Sequence, residues 1–106
     1  MKDAEENLII EENLVNPINN YRISITDVRM HNNRQSFFLS CSNGYLFLFE
    51  RLAAKIKKSI KVCPSSILSI ILIKEDTEVV ALCKNGNIAV FSSLNLTSIF
   101  LYQSYH

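Results

Sequence analysis

From residue 21 onward, apolar and polar side chains alternate in short runs. Tyr21, Ile23 and Ile25 oppose Arg22, Ser24 and Thr26, and Val28 and Met30 resume the pattern one residue later. A period of two is the mark of a strand with one face packed, so residues 21–30 are predicted as a strand. Residues 31–35 form a polar turn, and 36–41 and 45–49 are two further strands. Between them stands Asn43-Gly44, the strongest two-residue hairpin signal, which predicts a type I′ turn with positive φ at both residues. Residues 52–62 read two ways. Ile56, Ile60 and Val62 alternate as in an outer strand, whereas Leu52, Ala53, Ile56 and Ile60 also fall at helical spacing. The strand is the favoured reading.

The same events then recur: strand 67–73, polar turn 74–77, strand 78–83, Asn85-Gly86, strand 87–91, turn 92–95 and strand 97–102. The chain has only two glycines, Gly44 and Gly86, and they stand in matching contexts. Sliding residues 24–50 onto 66–92 without a gap superposes Ser24 on Ser66, Ile25 on Ile67, Cys41 on Cys83, Asn43 on Asn85, Gly44 on Gly86 and Phe49 on Phe91. That offset, the one carrying Gly44 onto Gly86, is the repeat length. The chain is therefore predicted to be all-β, two copies of a four-stranded antiparallel meander. Asn43, Gly44, Asn85 and Gly86 make the turns, and Phe49 and Phe91 sit in the sheet cores. Because residues 67–73 are apolar on both faces, that strand is expected to be covered on both sides.

Residues 1–20 do not share this pattern. Asp3 with Glu6 resembles a capping box ahead of Leu8 and Ile9, so the segment is expected to be a short helix over 3–15 or a disordered acidic leader. It carries a net charge of −4, against +5 over residues 21–106 and +1 for the whole chain. A balance so near neutral argues against a dedicated nucleic-acid binder. The cations are nevertheless concentrated: Arg51, Lys55, Lys57, Lys58 and Lys61 crowd the outer-strand segment. Lysines protect an edge strand from unwanted pairing. The sharper alternative is a contact with anionic lipid or nucleic-acid phosphate, although no aromatic side chain interleaves the lysines to stack bases.

Candidate chemistry is sparse. Cys41, Cys63 and Cys83 are odd in number, have no short spacing and follow no apolar leader, which points to reduced thiols in a cytoplasmic setting. The recurrence of Cys41 at Cys83 reads as a small buried position of the repeat. Two distant histidines and no Cys-x-x-Cys give no expectation of a metal. With both glycines used in turns, no phosphate loop, nucleophile elbow or zinc helix is present, so no catalytic residue and no cofactor are expected. The longest nearly uninterrupted apolar run, 67–73, is far shorter than the roughly 20 residues of a membrane-spanning helix.

A unit of strand, polar turn, strand, Asn-Gly turn, strand and polar outer strand, repeated at this fixed offset, resembles consecutive blades of the WD-repeat β-propeller family. On that resemblance residues 21–62 are blade one and 63–106 blade two. Phe49-Glu50 and Phe91-Ser92 stand where the family commonly has Trp-Asp, and no Gly-His pair occurs, so the blades are divergent. The stretch 39–49, followed one repeat later by 79–91, is similar to the opening blades of the Hermansky-Pudlak syndrome and tectonin-repeat trafficking proteins. That narrower resemblance implies a non-catalytic protein-interaction scaffold in vesicle, lysosome-related-organelle or autophagy traffic, with other proteins as partners and at most peripheral membrane contact. The basic run itself, and not the resemblance, offers Lys55, Lys57, Lys58 and Lys61 as candidate interaction residues. Two blades cannot close a ring, so a fragment of a longer propeller, a truncated product without an independent role, or a piece completed by pairing is also expected.

Overall fold

The computed structural model describes residues 23–103 and forms eight strands: β1 (Ile25–Met30), β2 (Ser36–Cys41), β3 (Tyr45–Glu50), β4 (Lys55–Lys61), β5 (Ile67–Ile73), β6 (Glu78–Cys83), β7 (Ile88–Ser92) and β8 (Ser98–Tyr102). They make two antiparallel meanders, β1-β2-β3-β4 and β5-β6-β7-β8, with no helix among the described residues. The predicted leader, helical or disordered, lies outside the described residues, as do Tyr21 and the last three positions.

The repeat extends to the irregularities of the backbone. In β1 the ladder skips Thr26, and in β5 it skips the equivalent Leu68. The outer strands bulge at Lys57 and at Ile99, again equivalent positions. Left-handed backbone recurs at Arg34 and Asp76, and at Ala54 and Leu96. A bulge bends a strand and raises its twist, so shared bulges give both sheets the same curvature and let one lie flush on the other.

Residues 52–62 resolve in favour of the strand. Residues 51–54 turn, with the Ala54 amide donating to the Arg51 carbonyl at 3.2 Å, and β4 then pairs along β3. The hairpin turns differ from expectation. Gly44 and Gly86 have φ of 85° and 93°, but neither Asn43 nor Asn85 has positive φ. The Gly44 amide donates to the Cys41 carbonyl at 3.1 Å and the Gly86 amide to the Cys83 carbonyl at 2.9 Å. Each is a three-residue connection in which asparagine closes a type I turn and glycine takes the left-handed bulge position. The Asn43 side chain accepts from the Tyr45 amide at 3.2 Å, and Asn85 accepts from the Asn87 amide at 3.0 Å.

Two faces of the first sheet must be distinguished. One presents Phe38, Leu46 and Leu48, which join Ile67, Ile70, Val79, Ala81, Cys83, Ala89 and Phe91 of the second sheet in a single buried cluster. The opposite face presents Leu39, Cys41, Phe47 and Phe49, with Ile23, Phe37, Tyr45 and Ile56 packed around them. Phe49 and Phe91 are both buried, in different clusters, because each lies on the same face of its own sheet and only Phe91 meets the inter-sheet layer. Strand β5 is covered on one side only: Ile67 and Ile70 are buried while Leu68 and Ile71 are exposed.

The expectation of three reduced thiols also changes. Cys63 and Cys83 form a disulfide across 20 residues, with Cα atoms 6.7 Å apart, and Cys41 alone is free. The pairing was hidden by the repeat, since the position one repeat before Cys63 is Tyr21, which leaves Cys41 without an equivalent partner.

Candidate interaction surface

Face-to-face stacking of the sheets is fixed by polar as well as apolar contacts. The Ile70 amide donates to the Asp27 carboxylate at 2.9 Å, and Arg29 Nε donates to the Ile70 carbonyl at 2.8 Å. Arg29 also stands 3.5 Å from Asp27, so both polar groups of one β5 residue are held by an ion pair on β1. Hydrogen bonds to charged groups are stronger than neutral ones, which makes this a clamp at the inner strands. Farther along, the Asn32 amide donates to the Asp76 carboxylate at 2.9 Å. At the other end, Gly44 packs against the chain entering the second sheet, and its carbonyl accepts from the Val62 amide at 2.8 Å. A Cβ there would overlap the Cys63 carbonyl oxygen and stand 2.7 Å from that of Ser65.

The clamp is not repeated. At the positions of Asp27 and Arg29 the second sheet has Ser69 and Ile71, on its outward face. That face is apolar. Ile71, Leu82, Phe100 and Tyr102 are 49%, 39%, 56% and 54% exposed, and register places Val80, Val90 and Ile88 on the same side. Ser69, Ile71, Val80, Leu82 and Ile88 line an open cleft of about 200 Å³. Contiguous exposed apolar surface is uncommon on a soluble protein and is a feature of protein, membrane and ligand contacts alike.

Of the residues singled out from sequence, Asn43 and Gly44 lie at the junction of the sheets, while Asn85 and Gly86 occupy the equivalent turn of the second sheet. Lys55, Lys57, Lys58 and Lys61 are exposed along β4, an outer edge. Lys61 Nζ stands 5.6 Å from the centre of the Tyr45 ring, a cation–π arrangement. The apolar face was missed because its alternation matches that of the packed faces, and only coordinates show which face lacks a neighbour. No group of side chains able to hold a metal occurs among the described residues. The free Cys41 thiol is buried, and burial pushes its pKa up to about 12, which keeps it protonated and poorly nucleophilic.

The bulged four-stranded meanders, stacked face to face, match WD40 propellers over 77 to 81% of the chain. The fold is that of two consecutive WD40-type β-propeller blades. The WD40 repeats of RRP9 superpose with a TM-score of 0.73 at 9% identity, covering 81% of this chain and 28% of that one. The propeller domain of Myceliophteria thermophila Cps50 (Swd1) gives 0.69 at 14% identity over 77% of this chain and 30% of its own. Saccharomyces cerevisiae Sqt1 gives 0.68 at 16% identity over 77% and 21%. The chain thus spans less than a third of the length of these propellers. No family model matches it, and no curated protein does.

Proposed function

We propose that this blade pair is a non-catalytic protein-interaction scaffold whose outward blade-two face receives a partner protein. One observation carries the reading: a sheet face with Ile71, Leu82, Phe100 and Tyr102 all exposed, lying where a propeller sets its next layer. Such a face binds by excluding water from apolar area and needs no covalent step. The similarity of residues 39–49 and 79–91 to trafficking propellers supports a place in vesicle, lysosome-related-organelle or autophagy traffic.

The test replaces Leu82, or Asn95 as a control, with a photo-crosslinking residue in the full chain expressed in cells. Protein adducts at 82 that are missing at 95 are expected. Equal labelling, or none, at both positions overturns the scaffold reading. Adducts made only of proteins foreign to endolysosomal sorting and autophagy overturn the compartment and leave the surface standing.

The row of exposed lysines on β4 favours a second reading, binding to anionic lipid or nucleic acid. Vesicle and oligonucleotide binding measured across salt separates the two. A salt-sensitive affinity lost on replacing Lys55, Lys57, Lys58 and Lys61 by glutamine would favour the lysine row over the apolar face.

A further inference from the structure

We propose that Asn95 is an N-glycosylation site and that the blade pair folds in an oxidising compartment where asparagine receives an oligosaccharide. Asn95-Leu96-Thr97 fits the Asn-x-Thr acceptor motif. A motif of three residues arises often by chance, but this one stands in an accessible turn. It joins β7 to β8, and Leu96, with φ of 57° and its side chain in the inter-blade core, pins the chain there while Asn95 and Thr97 on either side are exposed. The Asn95 side-chain oxygen accepts from the Thr97 hydroxyl at 2.7 Å and from the Thr97 amide at 3.1 Å. Nδ2, the atom a sugar joins, has no partner among the described residues. A hydroxyl donating to the amide oxygen also favours loss of an Nδ2 proton, because it stabilises the charge that then gathers on that oxygen. In the transfer, Nδ2 attacks the anomeric carbon of an oligosaccharide carried on a lipid pyrophosphate. The N–C bond forms, the anomeric C–O bond breaks with its electron pair leaving on the pyrophosphate, and one Nδ2 proton passes to a base of the transferase.

The disulfide points to the same compartment independently of the motif. Cys63 and Cys83 are joined, and both belong to the core that the blades share. Such bonds persist in secreted and luminal proteins and are rare where glutathione keeps thiols reduced. Surface Asn-x-Thr turns are glycosylated in those same proteins. The oxidised pair therefore replaces the cytoplasmic setting expected from an odd cysteine count, and sets the scaffold on the luminal side of vesicle or lysosome-related-organelle traffic.

The outer edge of blade two gives the sugar a use. Lys55, Lys57, Lys58 and Lys61 guard β4, whereas Thr97, Ile99, Phe100 and Gln103 stand one repeat later. Strand β8 is exposed along its whole length and carries no charge. An uncharged apolar edge invites pairing with other chains. A bulky, hydrated glycan on the turn that leads into β8 hinders such pairing, as the lysines do on β4. Asn95 is not among the residues that line the apolar cleft, Ser69, Ile71, Val80, Leu82 and Ile88, so the sugar and a partner protein engage different residues.

The test recovers the full chain from the cells that make it and treats it with a peptide-N-glycosidase in heavy-oxygen water. Digestion is expected to increase its mobility and to leave residue 95 as heavy-oxygen-labelled aspartate in peptide mass spectrometry. Thr97→Ser should keep the modification, and Thr97→Val, which preserves the shape at 97 without the hydroxyl, should abolish it. Alkylation before and after reduction reports the cysteines in the same samples. A Cys63–Cys83 disulfide in both variants shows that each has folded in the same compartment, so that loss of sugar in Thr97→Val is loss of the acceptor. An unmodified Asn95 in the wild-type chain overturns the proposal, and so does a modification that survives Thr97→Val. Cys63 and Cys83 found as free thiols in the wild-type chain overturn the compartment and the site with it.

Discussion

Replacing Gly44 tests the junction between the blades at one atom. Two costs apply. The residue has φ of 85°, a left-handed conformation that costs a residue with a Cβ about 1–2 kcal/mol. Separately, the new Cβ would overlap the Cys63 carbonyl oxygen and crowd that of Ser65, both backbone atoms that no side-chain rotation can move. Relief requires the entry to blade two to shift, and Cys63 and Ile67 sit in the buried inter-blade cluster. Overpacking of that kind costs roughly 1–3 kcal/mol, so Gly44→Ala is expected to lose about 2–5 kcal/mol, a large share of a small domain's stability. Gly44→Asn separates the terms, because asparagine tolerates left-handed backbone and still carries the Cβ. Urea unfolding followed by circular dichroism should show Gly44→Asn losing at least about 1 kcal/mol and Gly44→Ala losing more. A loss for Gly44→Asn indistinguishable from zero would refute the steric argument and reduce Gly44 to an ordinary turn glycine.

Removing the clamp by Asp27→Ala should cost about 1.5–3 kcal/mol, since the charge-assisted bond to the Ile70 amide is lost and Arg29 loses its partner. Hydrogen exchange at the Ile70 amide should accelerate more than at amides of the β6–β7 ladder, and a uniform change would contradict the assignment. Under oxidising conditions Cys63→Ser should lower stability by about 3 kcal/mol, the loop-closure value for a 20-residue separation, while in reductant the wild type and variant should unfold almost together. The folded pKa of Cys41 is raised, so its contribution is intact below the thiol's unfolded value and is lost as pH rises from about 9 through about 12. The thermal midpoint of wild type should therefore fall more steeply between pH 8 and 10.5 than that of Cys41→Ala, and parallel slopes would count against burial of the thiol.

Much of this molecule was legible in its sequence, for a physical reason. Period-two alternation specifies strands, and the constant repeat offset carried the Asn-Gly turns from one blade to the next; the bulges and left-handed positions obey the same offset but only the backbone shows them. The turn type was misread because Asn-Gly serves two hairpin geometries, and loop length alone decides whether asparagine or only glycine crosses to positive φ. The disulfide was invisible because Cys83 and Cys41 look equivalent, while the partner of Cys83 lies in the linker and has no repeat mate. Ile67–Ile73 was read as covered on both sides because apolar residues do not announce which of their faces lacks a neighbour. The surface proposed to receive a partner lies on that face. Asp27 and Arg29 escaped notice as well, since their role depends on the β5 backbone, 41 to 43 residues away.

The central claim is that the two meanders are blades stacked face to face through one shared core, leaving blade two open outward. Nuclear Overhauser contacts in the isotopically labelled full chain test it most directly. Contacts are expected between Phe38, Leu46 and Leu48 of blade one and Ile67, Ile70, Val79 and Ala81 of blade two, with Leu82 and Phe100 showing none to blade one. Two sheets without contacts between those groups, or Leu82 and Phe100 found packed against blade one, would contradict the account.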